Sequence, residues 1–120
     1  MGCRAVIVSA DTNKSNADKK IGIYVHWHGD RNVVEEVLSK ALALGVRSVD
    51  EESDYFWARF CQIYANYITD AYKAYSKQNY ETGIGIDIVS NLDTANCDNG
   101  VYYIDGNFAI VKQTDGKEFN

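Results

Sequence analysis

Both histidines of the chain fall in one short stretch, IYVHWHG, residues 23–29. On a strand, the two-residue period puts His26 and His28 on the same face, where both imidazoles could address one ion. A structural zinc site needs four ligands, and a catalytic one needs about three with a water. Cys3 on an adjacent strand and a carboxylate could add to the pair, but no local spacing calls for a metal, and none is expected. Cys3 with His26 or His28 is also the candidate thiol–imidazole pair of a small hydrolase. Cys61 falls in an apolar helix stripe and reads as inert core. Asp50, Glu51, Glu52 and Asp54 bunch at a helix start, where acidic residues favour the helix dipole. The chain has no P-loop, dinucleotide fingerprint, nucleophile elbow or zinc-deaminase signature. No catalytic residue is assigned, and the chain is not expected to be an enzyme.

The cations read differently. Arg59 falls on the polar side of an aromatic helix, with Gln62 and Asn66 close by. A guanidinium there is either a solvated surface group or a fork for phosphate. Arg4 stands near the first strand and is a candidate for a second anion site. Lys112, on the last strand, is read in line with Phe108 and Ile110. An aromatic or apolar face with one or two cations is the expected design of a nucleotide pocket. Gly83 and Gly85 in ETGIGID mark a bulge or a close backbone approach at the start of a strand.

Pattern and turn chemistry give the elements that must position these groups. CRAVIVSA reads as a strand, with Ala5, Ile7 and Ser9 alternating against Val6 and Val8. After the polar stretch at residues 11–20, KIGIYVHWH reads as its antiparallel partner, with Ile21, Ile23, Val25 and Trp27 on one face. A helix follows. Asn32 with Glu35 has capping-box spacing, and Asp30 is an alternative cap. Val33, Val34, Val37, Leu38, Ala41 and Leu44 form its stripe, and Gly45 its stop. A second helix, started by Ser48 with Glu51 or by Ser53, carries Trp57, Cys61, Tyr64, Ile68, Ala71 and Tyr75, widened by Phe60, Tyr67 and Tyr72. Ile84, Ile86 and Ile88 then alternate in a strand. VYYIDGNFAIVKQ reads as a hairpin turning at Asp105–Gly106 in a primed two-residue turn. Residues 115–120 are expected to fray. The expectation is one α+β domain over 1–120, order ββααβββ, with two helices on an antiparallel sheet.

The totals fit that size. The chain has 120 residues and a net charge of −5, which argues against a DNA or RNA duplex as partner. Its three cysteines, widely spaced, are expected as free thiols. No apolar run approaches a membrane span, and the N-terminal residues lack a secretory signal, so a cytoplasmic location is expected.

Three segments, GCRAVI, IYVHWHG and YFWARF…ETGIGI, resemble the first-described family of phage Thoeris anti-defence sponges. The resemblance implies a non-catalytic protein of phage or prophage origin, without cofactor. It would sequester cyclic ADP-ribose-type signals, glycocyclic ADP-ribose among them, and cyclic oligonucleotides as well. It also implies a homo-oligomer, a dimer or larger with a hexamer included, whose pockets form between subunits. On this resemblance Arg59 carries phosphate, Ile84 between Gly83 and Gly85 touches the base, Asn91 or Asn96 supplies a polar contact, and Lys112 is the late basic residue. The family pattern leads to an aromatic where Ile84 stands, which puts the stacking contact in doubt. A protein-binding inhibitor of a host defence enzyme and the Cys/His hydrolase are the alternatives.

Overall fold

The computed structural model describes residues 2–73 and 82–120, with the side chains of residues 72 and 73 left aside. The expected places of the Tyr72 side chain and of Tyr75 in the second helix lie outside what is described. The described elements are β1 (Ala5–Ser9), β2 (Ile21–Val25), α1 (Arg31–Ala43), α2 (Ser53–Lys73), β3 (Ile84–Ile88), β4 (Val101–Ile104) and β5 (Ile110–Thr114). Short 3-10 turns follow β3 and β5. The fold is α+β, with five strands in the order β3-β2-β1-β4-β5.

The sheet is mixed rather than antiparallel throughout. β1 pairs antiparallel with β2 but parallel with β4, Ile7 lying opposite Tyr102. The reason is legible in AVIVS. All five residues are buried, so the strand is covered on both faces and sits in the centre of the sheet. A strand paired on both sides needs a second partner beyond its hairpin neighbour. A parallel one requires a long crossover, here supplied by everything from α1 to the loop before β4.

Each face has its own core. Ala5, Ile7, Ile23, Val25, Tyr102 and Ile104 meet both helices. Val6, Val8, Val101 and Tyr103 face the other way and are covered by loops through Ala17, Val89, Leu92, Cys97 and Phe119. The helix stripe on α2 is centred on Phe56, Trp57, Phe60, Ile63, Tyr64 and Ile68. Cys61 and Ala71 sit at its margin, half-buried. Burial still pushes the Cys61 thiol up to about 11, which keeps it protonated.

Asp30 is the N-cap of α1, in extended conformation and without a side-chain capping bond, so the Asn32–Glu35 box is not used. Gly45 ends the helix as expected, at φ +74°. Its N–H donates to Leu42 and that of Val46 to Ala41, the paired bonds of a Schellman motif. Leu44, assigned to the stripe, is instead exposed. Ser48 and Glu51 do form the reciprocal box: Ser48 N–H donates to Glu51 Oε1 at 3.3 Å and Glu51 N–H to Ser48 Oγ at 3.2 Å.

The last hairpin departs from the two-residue turn. Neither Asp105 nor Gly106 has positive φ; Phe108 does, at 59°. Asp105 Oδ1 accepts from Asn107 and Ala109 N–H and holds a longer loop. A register shift beside Ile104 then places Ile110 opposite Ile104 and Lys112 opposite Tyr103. Ile110 and Phe108 therefore pack on the helix-side core, while Lys112 lies over the Tyr103 ring on the other face. The bulge breaks the alternation on which their expected alignment rested.

The tail expected to fray carries specific contacts. Residues Lys117–Phe119 form a 3-10 turn, Phe119 stacks on Tyr103, and Glu118 accepts from the hydroxyls of Tyr103 and Thr114. Burial alone would raise the Glu118 pKa, but those two hydroxyl bonds, with a backbone hydrogen bond and the nearby Lys112 charge, together hold the carboxyl below the ordinary glutamate range. A folded pKa lowered in this way stabilises docking above the unfolded value and is lost as pH falls through the folded one. Protection of the amides of residues 115–120, measured against their intrinsic exchange rates, is expected to fall selectively in acid. In Glu118→Gln it is expected to be low already at neutral pH; equal protection in both proteins would contradict the clamp.

Candidate functional site

The link between the helices is held at both ends, by the Gly45 cap and the Ser48–Glu51 box. Val46, Ser48 and Val49 are buried. Arg47, between them, is turned outward over the start of α2, where it pairs with Glu52. Tyr55 and Arg59 share one face of α2, and Glu52, the residue just before the helix, lies on the same side. With Gly45 and Val46 these residues line a groove of about 320 Å³. Tyr55 is 61% exposed, which leaves its ring available to a ligand. Arg59 makes no ion pair with a carboxylate among the described residues. Two guanidinium groups beside an aromatic face are suited to a phosphate carrying a planar group.

Arg59 was expected from the sequence; Arg47, Tyr55 and Glu52 were not. The four-residue spacing of Tyr55 and Arg59 was available as a signal. Arg47 was not legible, because its direction depends on the burial of its neighbours in the link. Gln62 and Asn66 do not line this groove. Asn66 belongs to a different cleft between α1 and α2, with Lys40, Ile63 and Tyr67.

The remaining expected site residues do not converge on Arg59 within one chain. Ile84 is half-buried against the helix-side core. Ile86, at 58% exposed, is the β3 residue that faces an opening, a groove of about 570 Å³ shared with Ile21, Trp57 and Ala58 on the other flank of α2. Asn91 donates to Asp87 at 3.1 Å and Asn96 to Asp93 at 2.9 Å, both within the loop layer. Arg4 pairs with Asp98 at 3.3 Å, which holds its own pKa up and that of Asp98 down. Lys112 is on the loop face of the sheet, over Tyr103.

Gly83 does mark a close approach. Its φ is +70°, and a Cβ there would meet the Trp27 ring at 2.8 Å and His26 Cβ at 2.9 Å. Gly85 would make only ordinary contact, with Tyr24. Gly83→Ala is expected to cost about 1–3 kcal/mol through left-handed strain and the displaced indole. Chemical denaturation followed by tryptophan emission measures it; a variant as stable as the parent would remove the close-approach account.

The two histidines turn out on different sides. β2 ends at Val25, and His28 has φ 59°, which breaks the alternation. His26 Nδ1 is 2.9 Å from the Tyr24 hydroxyl on the loop side, whereas the His28 ring packs edge-on to Tyr67 of α2. Trp27, placed in the core by its expected alignment with Val25, is half-buried beyond the strand end. The segment is gripped through its backbone. Tyr64 donates to the His28 carbonyl at 2.5 Å and Tyr102 to that of Gly29 at 2.9 Å. Burial raises the pKa of both phenols, so each stays a donor.

The Cys3 thiol lies near Asn99 Nδ2 at 3.2 Å and Asp30 Oδ1 at 4.0 Å, the side-chain partners it has among the described residues. No cluster of three or more His, Cys, Asp or Glu able to hold a metal occurs among the described residues. No helix among them is long and apolar enough to cross a membrane. Comparison of the chain with protein-family models, curated proteins and solved structures found no match in any of the three.

Proposed function

We propose that the protein is a non-catalytic binder, an anti-defence sponge of phage or prophage origin. It captures a cyclic ADP-ribose-type signal, or a cyclic oligonucleotide, in the bacterial cytoplasm. The observation that carries this reading is the Arg59 groove. An exposed guanidinium without a carboxylate partner among the described residues stands one helix turn from an exposed tyrosine ring. The resemblance supplies the ligand class, and the groove supplies the means. Capture without turnover removes a signal by mass action and requires no nucleophile.

The working form is proposed as a homo-oligomer. Lys112 and Arg59 lie on opposite sides of the sheet, so they join one ligand only across a contact between copies. β3 is an edge strand, and its exposed Ile86 together with exposed Ile21 at the start of β2 forms a face suited to burial against a second copy. The same apolar face favours the second reading, inhibition of a host enzyme by direct contact. Native mass spectrometry of the protein with a panel of cyclic nucleotides reports subunit number and bound mass together. The sponge reading expects an oligomer carrying nucleotide. A monomer that binds none of the panel but retains a host protein in a pull-down supports the inhibitor instead.

A further inference from the structure

The groove contains its own anion. Glu52, the residue just before α2, pairs with Arg47, while Arg59 on the same wall has no such partner among the described residues. Arg47 is largely exposed at 68% and Glu52 less so at 30%, so the carboxylate is the more firmly placed of the two. Two guanidiniums against one carboxylate leave the groove a single net positive charge. We infer that Glu52 acts as a built-in competitor for Arg47 and thereby sets how much negative charge a ligand must carry. This rests on the proposed role of the groove. One phosphate is received at Arg59 without rearrangement. A second, at Arg47, must compete with the Glu52 carboxylate, which already holds one of its amino groups, and taking the full guanidinium costs that ion pair. The site therefore discriminates between mono- and diphosphate groups through a residue that need not touch the first of them.

The two capped ends of the link bear on this. Because Val46, Ser48 and Val49 are buried, the backbone of Arg47 is fixed and only its side chain can exchange partners. Displacement is then a swing of one guanidinium between a carboxylate and a phosphate oxygen, with little else to reorder.

The test compares AMP and ADP as probes, titrated calorimetrically into the full chain and its variants at fixed ionic strength. Glu52→Gln keeps the side chain's shape and removes the competing charge. It is expected to tighten ADP about twofold to fivefold, the size of one exposed ion pair, and to leave AMP within error. In the double variant Arg47→Ala/Glu52→Gln the gain should vanish, which separates release of Arg47 from a general loss of negative charge. If Glu52→Gln binds ADP no tighter than the parent while Arg59→Ala abolishes binding, the competitor role fails and the groove stands. An equal gain for AMP and ADP, or a gain that survives loss of Arg47, also overturns it. If ADP binds neither the parent nor Glu52→Gln, the competitor role and the groove reading fall together.

Discussion

Arg59→Ala is expected to weaken capture of the cyclic nucleotide about tenfold to a hundredfold, the usual worth of a charge-assisted bond to phosphate. The thermal midpoint should stay where it is, since the Arg59 side chain is exposed and carries no ion pair among the described residues. Arg59→Lys should recover part of the loss, because a point charge replaces a planar fork. Raising the salt concentration should weaken the parent more than the alanine variant, since screening acts on the charge that has been removed. Isothermal titration with a parallel melting curve separates the effects. Unchanged affinity in Arg59→Ala would take the site away from this groove.

Phe60→Ala is the substitution expected to cost most stability. Phe60 is fully buried at the centre of the α2 stripe, stacked on Phe56 at 5.6 Å and edge-on to both Trp57 and Tyr64. Truncation removes a ring and leaves a cavity bounded by three other rings, a loss of about 3–5 kcal/mol. That is a large share of the roughly 5–15 kcal/mol by which a domain is stable. Tyr55→Ala, one helix turn away but exposed, should fall within about 0.5 kcal/mol of the parent. Urea midpoints of the two variants provide the check. A small effect at Phe60 would mean that α2 is not the element on which the helix-side core is built.

Much of this core could be read from residue spacing. Part of the α2 stripe (Trp57, Phe60, Tyr64 and Ile68, though not the equally buried Phe56 and Ile63), the Gly45 cap and the Ser48–Glu51 box are local, set by residues within a turn or two of each other. What escaped was set by distant partners. AVIVS reads as an alternating strand with an antiparallel partner, whereas its burial on both faces and its parallel pairing with β4 depend on where a crossover returns. The period of two held on β2 only until Val25, and the turn of His28 into positive φ sent the two imidazoles apart. On β5 one bulge moved Lys112 to the face opposite Ile110. The site shows the same division. Arg59 was visible because helix periodicity assigns it a polar face, whereas Arg47 was not, since a link has no period and its outward direction follows from the burial of Val46, Ser48 and Val49.

IYVHWHG also changes meaning on this view. Its first part is a core strand, and its end is a backbone segment held by the Tyr64 and Tyr102 hydroxyls. The histidines flank that grip on opposite sides, which disfavours a shared ion.

Capture without chemistry is the central claim, and recovery of the ligand tests it most directly. The protein is loaded with a cyclic ADP-ribose-type signal, separated from excess, heat-denatured, and the released nucleotide weighed by mass spectrometry. The account predicts near-stoichiometric return of a ligand of unchanged mass, and little return from Arg59→Ala. Release of a linearised or hydrolysed product, or no retained nucleotide at all, would contradict it.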